Sequence, residues 1–328
     1  MTSPALMVNN LPWTESPFFE SLLEQSDLHA EDKAFVKGYA NEGYAIFDPK
    51  ISSSTIDALV ETMSPQFAKL TNGDNRIQDA WTFNKYVQEV AGSEVVLDKL
   101  RLLYRREPWP FQTLNFPVGS QQKTHSDMIH FNSIPERFMC GVWVALEDIT
   151  HDNGPLHYYP GSHKLPFYDM LDLGVKASET MEMKKSFMAY AGNYEIFIEE
   201  MVKALKLQKQ VLNIKKGQAL IWSANLLHGG ETILRPGASR HSQVTHYYFD
   251  NCVYYAPRMS DIAINKIYIR DMVNIKTGEK VQSKYFDQRV KPQTKLFLQL
   301  QTVKTLAKIS HLFPRPLVNK IKSIIYDL

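Results

Sequence analysis

The first hundred residues carry the periodicity of amphipathic helices, with apolar positions spaced three or four apart. Residues 30–42 predict a helix that ends near Gly43, and residues 85–104 are again helical in pattern. The short segment 44–47 between them predicts a strand. We therefore expect this part of the chain to be mostly helical.

From about residue 108 to 255 the pattern changes to short strands separated by turn signals. Segments such as CGVWVAL, QALIWS and HSQVTHYYF are rich in β-branched and aromatic residues, and Asn153-Gly154 marks a turn. The pattern predicts a mainly β core, either a sandwich or a rolled-up barrel of short strands. Residues 166–208 interrupt it with a partly helical insertion, which is either a lid or a helix covering the barrel.

The chain after residue 290 is helical in pattern and basic. Residues 291–328 contain seven lysines and arginines, against Asp327 as the single acidic residue. We predict one domain over residues 1–290, followed by this helical tail. The tail either docks on the barrel or on the partner subunit of a homodimer, or makes a peripheral contact with anionic lipid or polymer.

The composition is that of an ordinary globular protein. The 328 residues are 44% hydrophobic with a formal net charge of +2, so no excess of charge calls for a nucleic-acid partner. Cys140 and Cys252 lie far apart, which favours a reducing compartment. No apolar stretch reaches the length of a membrane span, and the N-terminus lacks a secretory pattern. We expect a cytoplasmic protein with no integral membrane segment.

Candidate chemistry begins with the tripeptide His125-Ser126-Asp127 and with His228 about a hundred residues later. Two imidazoles and one carboxylate are the ligand set of mononuclear non-haem Fe(II) oxygenases. The His-x-Asp spacing suits a strand end, because residues i and i+2 point to the same side of a strand. The third ligand would come from another strand, where Gly229-Gly230 allow close approach of the backbone.

A basic residue after His228 suits a dicarboxylate co-substrate. Arg240 and Ser242 would share one side of a strand, and a guanidinium with a nearby hydroxyl is suitable chemistry for holding the carboxylate of 2-oxoglutarate. Arg235 competes for this role, but Arg240 is preferred because Ser242 shares its side of the strand.

An ordered set of motifs resembles the phytanoyl-CoA dioxygenase family of Fe(II)/2-oxoglutarate-dependent oxygenases, over roughly residues 32–255. The motifs are His125-Ser126-Asp127, Trp143, the segments 147–150 and 153–156, Pro160-Gly161-Ser162-His163, His228-Gly229 and Arg240-His241-Ser242. The resemblance implies a double-stranded β-helix, that is, a cupin-like jelly roll, with N-terminal helices, a helical insertion and a C-terminal helical tail.

The resemblance also assigns roles by position. It implies that His125, Asp127 and His228 bind iron, that Arg240 with Ser242 holds the distal carboxylate of 2-oxoglutarate, and that Trp143 and Asn115 contribute to the co-substrate pocket. The implied cofactors are Fe(II), 2-oxoglutarate and dioxygen, with succinate and carbon dioxide released as a C–H bond is hydroxylated. A carboxylate at position 127 favours hydroxylation over halogenation.

Other interpretations remain open at this level. A cupin-like metal-dependent isomerase or hydrolase could use the metal ligands without 2-oxoglutarate, and a non-catalytic binding protein could retain the same barrel. The substrate is expected to be a small molecule or a carrier-bound metabolite, and desaturation, cyclisation or epimerisation would use the same site. The remaining histidines near the site are expected to be structural: His130, His157, His163, His241 and His246.

Overall fold

The computed structural model describes residues 10–71, 74–175 and 188–291. Five of the helices in these ranges precede residue 105, in agreement with the helical pattern of the N-terminal part. The helices are α1 (Phe19–Glu24), α2 (Ala30–Glu42), α3 (Ser53–Phe67), α4 (Lys85–Ala91), α5 (Glu94–Tyr104) and α6 (Glu195–Ala204).

The strands are short, and most of them lie in the predicted β region. They are β1 (Tyr44–Phe47), β2 (Ile77–Gln78), β3 (Pro108–Phe116), β4 (Asn132–Ile134), β5 (Met139–Ala145), β6 (Leu156–Tyr158), β7 (Gln210–Val211), β8 (Ala219–Ser223), β9 (His228–Gly230), β10 (Ser242–Phe249), β11 (Val253–Tyr255), β12 (Met272–Val273), β13 (Lys280–Val281), β14 (Lys284–Tyr285) and β15 (Gln288–Arg289).

The largest sheet has six strands in the order β1-β8-β5-β10-β3-β2, and every neighbouring pair is antiparallel. A second sheet has the order β7-β6-β9, and β11 pairs with β4. The core of the chain is thus mainly β, as the sequence predicts, with strands distant in the sequence brought side by side.

The two faces of the large sheet pack against different partners, because side chains alternate along a strand. In β5, Val142 and Val144 point into a hydrophobic cluster that includes residues of α2 to α5. Trp143, between them, points into a second cluster shared with Leu156 and Tyr158 of the small sheet. The helices therefore cover one face, and the other face is turned toward the small sheet.

The predicted end of the helix over residues 30–42 is confirmed. The helix α2 ends at Glu42, and Gly43 follows it with φ of 80°, its amide donating to the carbonyl of Tyr39 over 2.8 Å. A left-handed residue after the last turn is the usual role of glycine at this position. The strand β1 begins with the next residue.

The insertion within residues 166–208 is partly helical, as predicted. A π-helical turn over Tyr190–Tyr194 leads directly into α6, whose Ile198 is buried. The predicted basic helical tail, residues 291–328, lies outside the described residues except for Lys291. Among the helices of the described ranges, none is long and apolar enough to cross a membrane.

Candidate metal centre

The segment carrying His125 and Asp127 is held by backbone pairing to the segment carrying His228. The amide of His125 donates to the carbonyl of His228 over 2.9 Å, and the amide of His228 donates back over 3.0 Å. The prediction that the dyad lies on a strand is wrong in detail. His125 forms this single antiparallel bridge, and Asp127 begins a 3-10 turn over Asp127–Ile129.

Ser126 fixes that turn. Its hydroxyl accepts a hydrogen bond from the amide of Met128 over 3.2 Å, which caps the turn, and lies 3.1 Å from the carbonyl of Ala224. A cap of this kind can place the carboxylate beside His125 without a continuous strand. The turn, rather than the alternation of side chains along a strand, therefore brings the side chains of His125 and Asp127 to the same side.

The three predicted ligands come together. One ligand atom from each of His125, Asp127 and His228 lies within 4.8 Å of the other two, and all three residues are buried. Nε2 of His125 lies 3.6 Å from Oδ1 of Asp127, and Nε2 of His228 lies 3.8 Å from Oδ2. This arrangement could hold a metal ion.

The backbone orients both imidazoles for such a role. Nδ1 of His125 lies 2.8 Å from the carbonyl of Lys123, and Nδ1 of His228 lies 2.9 Å from the carbonyl of Leu226. A carbonyl only accepts hydrogen bonds, so each Nδ1 carries the proton and each Nε2 keeps its lone pair. Burial lowers the pKa of His228 to about 4, which leaves this ring neutral at pH 7.

Two further side chains hold the carboxylate of Asp127. Nε1 of Trp222 donates to Oδ2 over 2.7 Å, and Nε2 of His246 lies 3.3 Å from the same oxygen. Burial alone would raise the pKa of Asp127, but His228 and His246 hold it well below its usual value. The carboxylate is therefore ionised and fixed in orientation.

The triad opens into a cavity of about 430 Å³ between the two sheets. Phe116 of β3, Trp143 of β5 and Trp222 of β8 line it from the large sheet, and Leu156 of β6 lines it from the small sheet. Its size falls in the range of small-molecule sites.

Arg240 also lines this cavity and is 1% exposed. Its Nε and Nη1 have no hydrogen-bond partner within the described part of the chain. Burial lowers its pKa to about 10, against the opposing charge of Glu147, so the guanidinium remains a cation at neutral pH. An unsatisfied buried guanidinium is costly, and an anion would relieve that cost. Arg235, the competing candidate, is exposed.

The other predicted co-substrate residues are placed differently from one another. Trp143 lines the cavity, with its Nε1 unpartnered among the residues described. Ser242 is fully buried at the start of β10, and its hydroxyl is likewise unpartnered there. Asn115 is not among the residues lining the cavity, and its side-chain amide donates to Gln243 over 3.1 Å. The structure thus brings Arg240 and Trp143 to the cavity, whereas neither Ser242 nor Asn115 is among the residues that line it.

His246 and Trp222 are site residues that the sequence reasoning missed. His246 was expected to be structural, but its ring contacts the carboxylate of Asp127. The sequence did contain a signal that His246 lies on the same side of its strand as the predicted site residue Ser242. Ser242, Val244 and His246 are two residues apart along β10, and therefore share one face of the strand.

The fold and the site together define a mainly β protein with a buried triad that could hold a metal ion and a cavity lined in part by arginine. The sequence pattern of the phytanoyl-CoA dioxygenase family matches residues 68–242, more than half of the chain. The chain belongs to this family. The cofactors that the resemblance implied, iron, 2-oxoglutarate and dioxygen, are those of the family.

Two curated relatives come from Caenorhabditis elegans. A "Probable phytanoyl-CoA dioxygenase" is 40% identical over 50 residues, covering 15% of this chain and 16% of the relative. A "Phytanoyl-CoA dioxygenase domain-containing protein 1 homolog" is 23% identical over 174 residues, covering 48% of this chain and 54% of the relative. The match thus spans about half of the longer-matching relative and a small part of the other.

Solved structures support the fold. The non-haem α-ketoglutarate-dependent epimerase SnoN from nogalamycin biosynthesis superposes with a TM-score of 0.51 at 16% identity, covering 69% of this chain and 85% of SnoN. The carbocyclase SnoK from the same biosynthesis gives 0.51 at 14% identity, covering 70% and 87%. Likeness at this level of identity concerns the fold alone.

Proposed function

We propose that this protein is an Fe(II)- and 2-oxoglutarate-dependent dioxygenase that hydroxylates a C–H bond of a small molecule or carrier-bound metabolite, releasing succinate and carbon dioxide. One observation carries the proposal. The buried cation Arg240, with two unpartnered nitrogens among the described residues, shares a cavity with two histidines and an aspartate. A metal-dependent isomerase or hydrolase has no need of such a group.

We propose that the two facing sheets form a double-stranded β-helix, or jelly roll. The cavity between β3, β5, β8 and β10 on one side and β6 and β9 on the other supports this architecture. The ligand-bearing segments then meet at one end of the barrel, where β9 begins with His228.

His125, Asp127 and His228 are the proposed iron ligands. Their chemistry fits the group, because two neutral imidazoles and one ionised carboxylate are the usual donors to Fe(II) in such oxygenases. The Nε2 lone pairs of both histidines are available to a metal, because Nδ1 of each ring donates its hydrogen bond to a backbone carbonyl. Gln122, whose amide nitrogen lies 3.2 Å from Nε2 of His125, would shift to another partner when a metal binds.

Arg240 and Ser242 are the proposed contacts to the distal carboxylate of 2-oxoglutarate, and Trp143 a wall of its pocket. The guanidinium offers its unpartnered donors to a carboxylate in a place from which water is largely excluded. Arg240 would therefore orient the co-substrate by one end, while the triad faces the other. Asn115 is outside this proposed set.

When bound, Fe(II) with 2-oxoglutarate would supply the activation of dioxygen. The chain itself binds and orients the reactants and excludes bulk water, through the apolar walls formed by Phe116, Trp143, Leu156 and Val244. The overall balance is one 2-oxoglutarate, one dioxygen and one substrate C–H giving succinate, carbon dioxide and an alcohol.

Anaerobic titration tests the proposal. Metal-free protein receives Fe(II) and then 2-oxoglutarate, and the metal-to-ligand charge-transfer absorption is recorded. We expect the band in the wild type and in the exposed control Arg235→Gln. Asp127→Ala should lose it, and Arg240→Gln should need about tenfold or more 2-oxoglutarate, the usual cost of a lost charged hydrogen bond.

The outcomes separate the rival functions. Iron binding without a band would contradict a 2-oxoglutarate enzyme and favour a cupin-like isomerase or hydrolase. Absence of iron binding would favour a non-catalytic binding protein.

A further inference from the structure

Ser126 lies between two of the proposed metal ligands in the chain, and its contacts reach residues that do not line the cavity. Its amide donates a hydrogen bond to the hydroxyl of Tyr194 over 3.3 Å, and its own hydroxyl lies 3.0 Å from Oδ1 of Asn225. Ser126, Tyr194 and Asn225 are all buried. The positions of His125 and Asp127 therefore depend on two residues far along the chain from them.

Asn225 joins Ser126 to the turn that contains the motif Pro160-Gly161-Ser162-His163. Its Nδ2 donates to the carbonyl of Leu165 over 2.8 Å and to the carbonyl of His163 over 3.3 Å. Carbonyls only accept hydrogen bonds, so the amide nitrogen must face them, and Oδ1 must face the hydroxyl of Ser126. The turn thus fixes the orientation of the group that contacts Ser126.

The same turn holds the segment that carries the third proposed ligand. The hydroxyl of Ser162 accepts a hydrogen bond from the amide of Leu227 over 2.9 Å, and the carbonyl of Leu227 accepts one from the amide of Tyr159 over 3.0 Å. Leu227 immediately precedes His228. The turn therefore bonds directly to one ligand-bearing segment and, through Asn225, to the other.

The described part of the insertion packs against the same two segments. Tyr194 ends the π-helical turn, and α6, which follows it, buries Ile198 in a cluster with Ile129 and Leu227. Tyr190, at the start of the turn, stacks on Tyr194 with the ring centroids 5.4 Å apart. Turns of this kind are rare in proteins and occur often at functional sites. The insertion is thus in contact with the segments that carry the triad.

These contacts add to a limited backbone connection between the two segments. His125 and His228 form an isolated antiparallel bridge, and the 3-10 turn at Asp127 follows outside any continuous strand. Groups that orient the ligands in advance raise metal affinity, because less ordering is needed when the metal binds. The hydrogen bonds at Ser126 lie where they restrict the ligands on both sides of it.

We propose that Tyr194 and Asn225 are positioning residues of the metal centre, which hold Ser126 so that His125 and Asp127 stay together with His228. The proposal rests on the metal-binding role of the triad in the proposed function, and not on the co-substrate or the substrate. Coupling between two parts of a protein is reciprocal, so a bound metal must in turn stabilise the packing of the insertion.

Anaerobic titration of the full-length, metal-free protein with Co(II) tests the proposal, because its visible absorption reports both the affinity and the coordination geometry of the site. We expect Tyr194→Phe to weaken Co(II) binding about two- to tenfold, the usual effect of one lost hydrogen bond. Asn225→Ala removes several hydrogen bonds, so it should weaken binding about tenfold or more and alter the spectrum.

Two matched variants separate positioning from a general loss of stability. Tyr254→Phe removes a buried hydrogen bond of 2.9 Å to the carbonyl of Phe249, and Asn84→Ala removes the side chain that caps α4. Both should lower the free energy of unfolding but leave the Co(II) affinity and spectrum as in the wild type. Circular dichroism confirms that each variant is folded. Equal Co(II) affinity in Tyr194→Phe, Asn225→Ala and the two controls would overturn the proposal.

Hydrogen exchange measures the reciprocal effect. Bound Co(II) should slow amide exchange over residues 190–204 of the wild type but not over α3, which does not line the cavity. Tyr194→Phe should lose most of this protection. Exchange over residues 190–204 that is unchanged by the metal would overturn the proposal.

The charge-transfer experiment keeps this proposal distinct from the proposed oxygenase. Weaker Co(II) binding by Tyr194→Phe and Asn225→Ala, without a charge-transfer band from the wild type with Fe(II) and 2-oxoglutarate, would support the positioning residues and contradict the oxygenase. A clear band from the wild type, with Co(II) affinity unchanged in both variants, would overturn the positioning residues alone.

Discussion

At the scale of residues, neighbouring side chains determine both the orientation and the ionisation of the Asp127 carboxylate. Oδ2 accepts a hydrogen bond from Trp222 and lies 3.3 Å from Nε2 of His246, whereas Oδ1 lies 3.6 Å from Nε2 of the proposed ligand His125. Residues that orient a metal ligand in this way contribute strongly to metal affinity. We therefore propose that Trp222 and His246 are positioning residues for Asp127.

Trp222→Phe tests this role, because it removes the 2.7 Å hydrogen bond while keeping an aromatic ring. We expect the affinity for Fe(II), measured anaerobically by titration, to fall about 10- to 100-fold. Trp109→Phe is the matched control, since Trp109 is buried in the core and its Nε1 has no partner among the described residues. Equal iron affinity in the two variants would contradict the positioning role.

At the scale of elements, the site depends on the pairing of β5 with β8. Gly141 in β5 lies opposite Trp222 in β8, and a Cβ atom at position 141 would lie 2.2 Å from the indole ring. Only glycine leaves room for this side chain, so the register of two strands determines where the indole donates its hydrogen bond.

Gly141→Ala should therefore displace the indole. We expect a loss of about 1–3 kcal/mol in the free energy of unfolding, typical of overpacking, together with weaker Fe(II) binding. Gly38→Ala is the control. Gly38 lies in α2 with no atom near an added Cβ, and this change should stabilise the protein by about 0.5–1 kcal/mol. Urea unfolding and metal titration of both variants provide the check, and normal iron binding by Gly141→Ala would contradict the argument.

The pattern of elements was accessible from the sequence because it follows from local periodicity. The end of α2 at Gly43, the strand β1 and the change to short strands near residue 108 were all predicted. The turn that carries Asp127 was not, since its cap and its backbone partner Ala224 depend on tertiary contact.

At the scale of the whole molecule, residues far apart in sequence meet at one cavity. The order of the motifs along the sequence was sufficient to predict the triad and Arg240. Arg258 and Arg270 lie after β11, in a segment without periodicity, and only the folded chain shows that they line the same space.

Buried histidines make the stability of the metal-free protein depend on pH. Burial lowers the pKa of His157, His163 and His228 to about 4 each, from an ordinary value of 6.5. Between these values the unfolded chain binds more protons than the folded chain. Stability is therefore fully present above about pH 6.5 and falls as the pH drops toward 4, by up to about 1.4 kcal/mol per pH unit for each histidine.

Urea unfolding at pH 7 and at pH 5, with a chelator present, measures this dependence. His163 lies outside the triad, with Nε2 3.2 Å from the carbonyl of Ala40. His163→Gln should therefore show a smaller loss between the two pH values than the wild type. A wild-type stability that is equal or greater at pH 5 would contradict this linkage.

The most direct test of the proposed oxygenase is the fate of dioxygen. The full-length protein, loaded with Fe(II) and 2-oxoglutarate, is exposed to ¹⁸O₂, and the succinate formed is analysed by mass spectrometry. We predict succinate carrying one ¹⁸O atom from the wild type, and none above background from Asp127→Ala. Absence of succinate from the iron-loaded wild type, or succinate without the label, would contradict the proposal that this site couples dioxygen to the decarboxylation of 2-oxoglutarate.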